Sequence, residues 1–178
     1  MKMTVADYIA DQLFKEGVRY AFGIPGGPSI PYIEAFREGG IEFILVSNEA
    51  TAGFMADVSS RLTGIPGVCH ATFGPGATNI STGVGGAFLD RSSVIVLTSE
   101  IGDTMINRTV QMNIDHQKLF APITKSTYRL TPQNAVKILP EALKISQKEY
   151  PGPVHIGLPS DIAYEEVSEI ETEPEFNE

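Results

Sequence analysis

The stretch Ile44-Leu-Val-Ser-Asn-Glu-Ala50 puts a carboxylate, Glu49, where an apolar run stops and a helical pattern begins. A carboxylate at such a join can simply favour the helix N-terminus, worth about 0.3–1 kcal/mol. It can also carry a proton for a ligand held in the loop. Two glycine-rich stretches accompany it, Gly23-Ile-Pro-Gly-Gly-Pro28 and Gly74-Pro-Gly-Ala-Thr-Asn79. Glycine in such loops permits tight turns and close approach of the backbone, with no Cβ in the way.

Other chemistries fit these residues less well. Asn79 stands where a dinucleotide fingerprint needs its third glycine, and no phosphate loop ending in Gly-Lys-Ser/Thr occurs. A Gly-x-Ser-x-Gly nucleophile elbow is also absent. His70, His116 and His155 show no metal-ligand spacing, so no metal ligands are expected, and His70 and His155 read as hydrogen-bonded core residues.

The elements that must position Glu49 follow from the pattern of apolar residues. Thr4 with Asp7 resembles a helix cap, and Val5, Ile9, Leu13 and Phe14 form an apolar stripe. Strands are expected at 19–22, 42–46, 68–73, 93–98, 125–130 and 153–158. Ser29 is a candidate cap for a helix ending near Gly39-Gly40. A further helix begins at Ala50, with Ala50, Phe54, Val58 and Leu62 on one side and Gly64 as its C-cap. Phe54 and Met55 read as core, and Asp57 with Arg61 as structural partners. A small-residue helix runs to Leu89, and 133–148 carries Ala135, Leu139, Ala142 and Ile145 on one side, with Pro140 marking a kink or a start.

Continuous apolar strands alternating with helices call for an α/β fold: roughly six strands in a mostly parallel sheet, with helices on both faces. In such sheets ligands collect at the carboxyl ends of the strands, where residues 23–29, 47–49 and 73–79 fall. The reading assigns 1–164 to one domain and 165–178 to an acidic tail or the start of an interdomain linker.

Charge supports this division. Seven of the 22 acids lie in 165–178, leaving 15 against 13 bases in the remainder of a chain whose net charge is −9. A near-neutral body argues against nucleic acid as a partner. No apolar run approaches the roughly 20 residues of a membrane span, and the N-terminus does not read as a signal peptide. A single cysteine, Cys69, within an expected strand, suits a reducing cytoplasm.

Taken in register, Phe22-Gly-Ile-Pro-Gly-Gly27, Asn48-Glu49, Ala56-Asp57 with Arg61-Leu-Thr-Gly64, Gly74-Pro-Gly-Ala-Thr-Asn79, Ala121-Pro-Ile-Thr-Lys125 and Gly152-Pro-Val154 resemble the N-terminal, pyrimidine-binding domain of thiamine-diphosphate-dependent enzymes. The likeness is to the acetolactate synthase and pyruvate oxidase branch and covers roughly 3–162. It implies that Glu49 is catalytic, hydrogen-bonding a ring nitrogen of the cofactor's aminopyrimidine so that the thiazolium carbon becomes nucleophilic. It places Pro25, Gly26, Gly74, Pro75, Gly76, Thr78 and Asn79 beside the cofactor, and Gly27 and Gln111 on the substrate side.

Two departures bear on substrate. Asn48 stands where acetolactate synthases usually have His, as in some decarboxylases of the family. Gln111-Met112-Asn113 aligns without a gap to the family's Phe-Gln-Glu, so the family's Gln falls on Met112. The resemblance further implies a 2-oxo acid substrate, thiamine diphosphate shared with a partner domain that binds the diphosphate through Mg²⁺, FAD as an option in the complete enzyme, and a homodimer or tetramer. No Gly-Asp-Gly segment with paired asparagines occurs here, so the chain alone is expected to be inactive. An excised domain is favoured over a small subunit of a split decarboxylase, and a non-catalytic module with the same fold is the remaining alternative.

Overall fold

The computed structural model describes residues 3–106, 108 and 110–168. Among them six strands form one sheet in the order β2-β1-β3-β4-β6-β5, with every pairing parallel. The strands are β1 Tyr20–Ile24, β2 Glu42–Leu45, β3 Gly67–Ala71, β4 Val94–Glu100, β5 Ser126–Arg129 and β6 Val154–Pro159. The six-stranded α/β expectation is met. All residues of β3, β4 and β6 are buried, which is why these strands read as unbroken runs without polar alternation.

Helices α1 Val5–Lys15, α2 Ile30–Glu38 and α6 Ala135–Gln147 cover one face around Ile9, Leu13, Tyr32, Phe36 and Leu139. Helices α3 Glu49–Thr63, α4 Pro75–Leu89 and α5 His116–Phe120 cover the other around Ala52, Ala56, Ile80, Val84 and Phe120. Local chemistry sets their ends. Thr4 Oγ1 accepts from the Asp7 amide at 3.1 Å to start α1. Asn48 Oδ1 accepts from the Ala50 amide at 2.9 Å to start α3, and Gly64 ends it with φ of 72°. Helix α6 continues through Pro140 and does not start there. The Val136 carbonyl, which a proline four residues on cannot satisfy, accepts from the Tyr8 hydroxyl at 3.3 Å.

Two expectations need correcting. Met55 packs against the core, but Phe54 is not core: it is 45 % exposed, as are Val58 at 45 % and Leu62 at 81 % on the same side of the helix. Helix α3 instead buries Ala52, Gly53, Ala56, Asp57 and Ser60. The reason is close backbone approach. A Cβ on Gly53 would lie 2.8 Å from the Gly83 Cα of α4, and one on Gly67 would run into the Ala56 carbonyl. Only small residues fit that face, so the bulky ones point away from the sheet. Ser29, second, does not cap α2 with its side chain; its hydroxyl is committed elsewhere.

Asp57 and Arg61 make the structural pair expected of them, 3.0 Å apart, with Asp57 also accepting from the Ser92 hydroxyl. Cys69 is buried, and burial pushes its thiol up, as suits an inert core residue. Most of the acidic stretch, 169–178, lies outside the described residues. Its first residues pair with the other end of the chain: Val5 N–H donates to the Glu165 carbonyl at 2.8 Å, and Val167 N–H to that of Met3 at 3.0 Å. No helix among the described residues is long and apolar enough to cross a membrane.

The α3–α4 contact yields a stability test. A Cβ on Gly83 would meet the Ala50 carbonyl at 2.5 Å, whereas Gly85 in the same helix faces open space. Gly83→Val is expected to cost about 1–3 kcal/mol in urea denaturation. Gly85→Ala should gain up to about 1 kcal/mol.

Candidate functional site

Strand order reverses between β1 and β3: the chain leaves β1 toward β2 at one edge, and from β3 onward builds toward the other. Connections at such a point leave a crevice at the carboxyl ends of the strands. The two glycine loops open there, one after Ile24 and one after Ala71. Thr72 is wedged between them. A Cβ on Gly26 would collide with Thr72 Oγ1, and one on Gly76 would lie 3.0 Å from Thr72 Cγ2.

Glu49 is the first residue of α3, and its half-buried carboxylate meets the second glycine loop. Asn79 Nδ2 donates to Glu49 Oε2 at 3.1 Å. On the other oxygen, a Cβ placed on Gly76 would stand 3.5 Å from Oε1. Glu49, Gly76 and Asn79 therefore come together, with Gly26 joined to them through Thr72. Gly74 adopts φ of 66°, a left-handed conformation that only glycine takes without strain. Pro75 opens α4, where its missing N–H costs nothing.

The other candidates are placed less directly. Pro25 is half-buried in the first loop, and Gly27 faces open space. The Thr78 hydroxyl donates to the Pro75 carbonyl at 3.0 Å, turned toward its own helix. Gln111 is exposed on the segment between β4 and α5. Its neighbour Met112, at φ of 62°, approaches the Gly74 turn, its Cβ 2.6 Å from a Cβ placed there. Thr72 is a neighbour of the site that motif reading misses, because it belongs to no glycine or acid pattern.

Ser29 holds the first loop from beneath. Its Oγ accepts from the Gly26 N–H at 3.0 Å and lies 2.7 Å from His70 Nε2 and 3.0 Å from Ser99 Oγ. His70 Nδ1 is buried without a hydrogen-bond partner. An orphaned N–H costs more than an orphaned lone pair, so the proton is assigned to Nε2. Ser29 then accepts from His70 and Gly26 and donates to Ser99. All of its hydrogen-bonding capacity is used in fixing this turn.

A second polar group lies under α5. Thr98 Oγ1 is 2.8 Å from both His116 Nδ1 and His155 Nε2, and His155 Nδ1 is 2.7 Å from Thr127 Oγ1. Glu100 accepts from Gln117 at 2.6 Å and Arg129 at 2.9 Å. Burial lowers His70 and His116 to about 4, with Asp115 pulling His116 partly back. It also takes His155 well below the ordinary value, helped by His116. Glu100 is raised by burial against the opposing pull of Gln117 and Arg129. His116 and Glu100, 3.9 Å apart, are therefore not an ion pair at neutral pH.

The family described as "Thiamine pyrophosphate enzyme, N-terminal TPP binding domain" matches residues 3–119. The chain belongs to this family. Among its relatives, a probable acetolactate synthase large subunit of Methanocaldococcus jannaschii is 38 % identical over 161 residues, covering 90 % of this chain and 27 % of that one. The acetolactate synthase isozyme 1 large subunit of Escherichia coli K12 is 35 % identical over 179 residues, covering 99 % and 32 %. The acetolactate synthase of Arthrospira platensis is 36 % identical over 178, covering 97 % and 31 %. This thiamine pyrophosphate enzyme domain thus spans about a third of the length of those relatives. Its family match includes all three site loops and Glu49.

The histidines give the domain a pH signature. All three stay neutral when folded but take up protons when unfolded below about pH 6.5. The unfolded chain then binds more protons, so stability is full above that pH and is lost as pH falls toward the folded values of about 4. Glu100 acts oppositely: its contribution is present below its ordinary 4.5 and lost as pH rises through its folded value. Urea unfolding from about pH 7 to about pH 5 should show stability falling by up to about 1.4 kcal/mol per pH unit per histidine, less the Glu100 offset. A flat profile would contradict the buried neutral imidazoles.

Proposed function

We propose that this chain is the aminopyrimidine-binding part of a thiamine-diphosphate-dependent enzyme that decarboxylates a 2-oxo acid and ligates the remaining fragment to an acceptor, in the manner of an acetolactate synthase. The observation that carries the reading is the Glu49 carboxylate at the sheet's switch point, held by Asn79 and bordered by the bare backbone of Gly76. That border fits a flat heterocycle: a side chain at Gly76 would narrow the space beside Oε1, and one at Gly26 would strike Thr72.

When bound, thiamine diphosphate supplies the carbon nucleophile and the electron sink. The protein's part is proton handling and position. Glu49 would share a proton with a ring nitrogen of the aminopyrimidine, with Asn79 fixing the carboxylate that does so. Pro25, Gly26, Gly74, Pro75, Gly76, Thr78 and Asn79 would wall the ring, and Gly27 and Gln111 would face the substrate. The Ser29–His70–Ser99 junction keeps the first wall from shifting, and a shift of about 1 Å at a catalytic centre can cost about a hundredfold in rate.

The diphosphate and its Mg²⁺ belong to a partner domain, in the same chain or another. The exposed Phe54, Val58 and Leu62 on α3, with Leu89 at the end of α4, supply an apolar face for it. The reading that these domains pair across a dimer rests on the same face.

Three measurements test the proposal. With a diphosphate-binding domain supplied, Glu49→Gln should lower 2-oxo acid turnover by about a hundredfold or more. Unchanged turnover, with only about 0.3–1 kcal/mol lost in stability, would leave Glu49 as a helix-end charge. Product analysis separates ligation from aldehyde release, the outcome for a split decarboxylase. Sedimentation of the isolated chain should show self-association that Leu62→Glu weakens; a clean monomer at high concentration would remove the apolar face from the assembly.

A further inference from the structure

His116 and His155, which lack ligand spacing in the sequence, converge in space. His116 opens α5, His155 lies within β6, and Glu100 ends β4; their ligand atoms all lie within 4.8 Å of one another. We propose that Glu100, His116 and His155 form a binding site for one divalent transition-metal ion of the zinc type, separate from the Glu49 centre.

Three independent observations carry this. The first is the donor set. Two imidazoles and one carboxylate, all buried, are the three-ligand complement of open zinc sites and also suit ferrous iron. His116 Nδ1 and Glu100 Oε1 are 3.9 Å apart. An ion about 2.1 Å from each ligand wants them roughly 3.4 Å apart, so a contraction of up to about 1.4 Å from the present separations closes the site.

The second is the outer layer, which is already built. Ligating histidines are held through their other nitrogen, and ligating carboxylates are themselves hydrogen-bonded. His155 Nδ1 is held by Thr127 at 2.7 Å, which turns Nε2 toward the cluster. Arg129 holds Glu100 Oε2 at 2.9 Å, keeping its own charge on the side away from Oε1. Gln117 steadies Oε1 at 2.6 Å. Room for this carboxylate exists because β6 carries glycine opposite it: a Cβ on Gly157 would collide with Oε1. Thr98 holds the two ring nitrogens on a common point, 2.8 Å from each. An ion would replace its hydroxyl as their shared partner.

The third is position. The chain leaves β4 toward α5 on one face of the sheet and leaves β6 toward Ile162 and Ala163 on the other. Such a divergence makes a crevice at the strand ends. Glu100, His116, Gln117 and Arg129 line a cavity of about 290 Å³ there, with Phe73 and Ile101 as its apolar wall. The cavity reaches two of the three ligands, Glu100 and His116, while His155 is buried behind them.

The test uses the 178-residue chain after treatment with a chelator. Calorimetric titration with Zn²⁺ should show one saturable site per chain, and Co²⁺ should develop visible bands of a four- or five-coordinate nitrogen and oxygen environment. In the ¹⁵N-labelled unsubstituted chain, the imidazole signals of His116 and His155 should shift on Zn²⁺ addition while those of His70 stay. Thr127→Val, which removes only an outer contact, should weaken binding about tenfold; Glu100→Gln should abolish the Co²⁺ bands. Absence of saturable binding overturns the proposal, and so does binding that moves neither imidazole. Because the imidazole signals are read on the unsubstituted chain, the outcome stands even if a variant fails to fold.

Discussion

Everything at the candidate centre depends on one close contact, the passage of α3 across α4 with backbone against backbone. Gly53 and Gly83 meet where any side chain on either would strike the other helix. The same helix rests on β3 through Gly67, whose missing Cβ admits the Ala56 carbonyl. These contacts set the height and tilt of α3, and so fix where its first residue stands. Glu49 reaches Asn79, thirty positions later, only because the two helices come this near. A wider crossing filled by leucines would bury as much apolar surface but would carry the carboxylate away from the second glycine loop.

The same economy explains why α3 is apolar on the outside. Its sheet-facing side takes Ala52, Gly53, Ala56 and Ser60, so the bulky Phe54, Val58 and Leu62 have no place inside. Large apolar residues clustered on an exposed helix are costly in a protein that works alone. They fit the partner-domain contact proposed above for the surface beside Glu49. The helix therefore serves two surfaces, with the catalytic candidate at its tip.

Much of this could be read from the residues alone. Fully buried parallel strands announce themselves as unbroken apolar runs, and Thr4 and Gly64 mark helix ends by chemistry that acts within a few residues. The glycine loops and Glu49 also stand out, because tight turns and a charge at a helix start leave a local trace. What cannot be read is which side of an apolar helix is inside: a repeat of every fourth residue marks a face but not its partner. The short α5 escapes for a related reason, since five residues hold too little periodicity to register. Ser29 reads as a cap from its place before a helix, yet its hydroxyl is taken by Gly26, His70 and Ser99, two of them brought there by the sheet.

Buried polar groups in this domain are not spread at random. Ser29, His70 and Ser99 lie beneath the β1 loop, and Thr98, Glu100, His116 and His155 beneath the β4 exit. The first group and Glu100 sit toward the carboxyl ends of the strands, where chain paths diverge to opposite faces of the sheet, and His155 reaches Thr98 from early in β6. Each divergence removes a covering helix from directly above the strand ends, so side chains there must satisfy one another. The first group is bound entirely to protein except for one imidazole nitrogen, and its effect is rigidity. The second borders a cavity and gathers two imidazoles on one hydroxyl, an arrangement that an ion could take over without rebuilding its supports. The same topology thus makes one fixed floor and one group that a ligand could take over, and the difference lies in the cavity that Glu100 and His116 border.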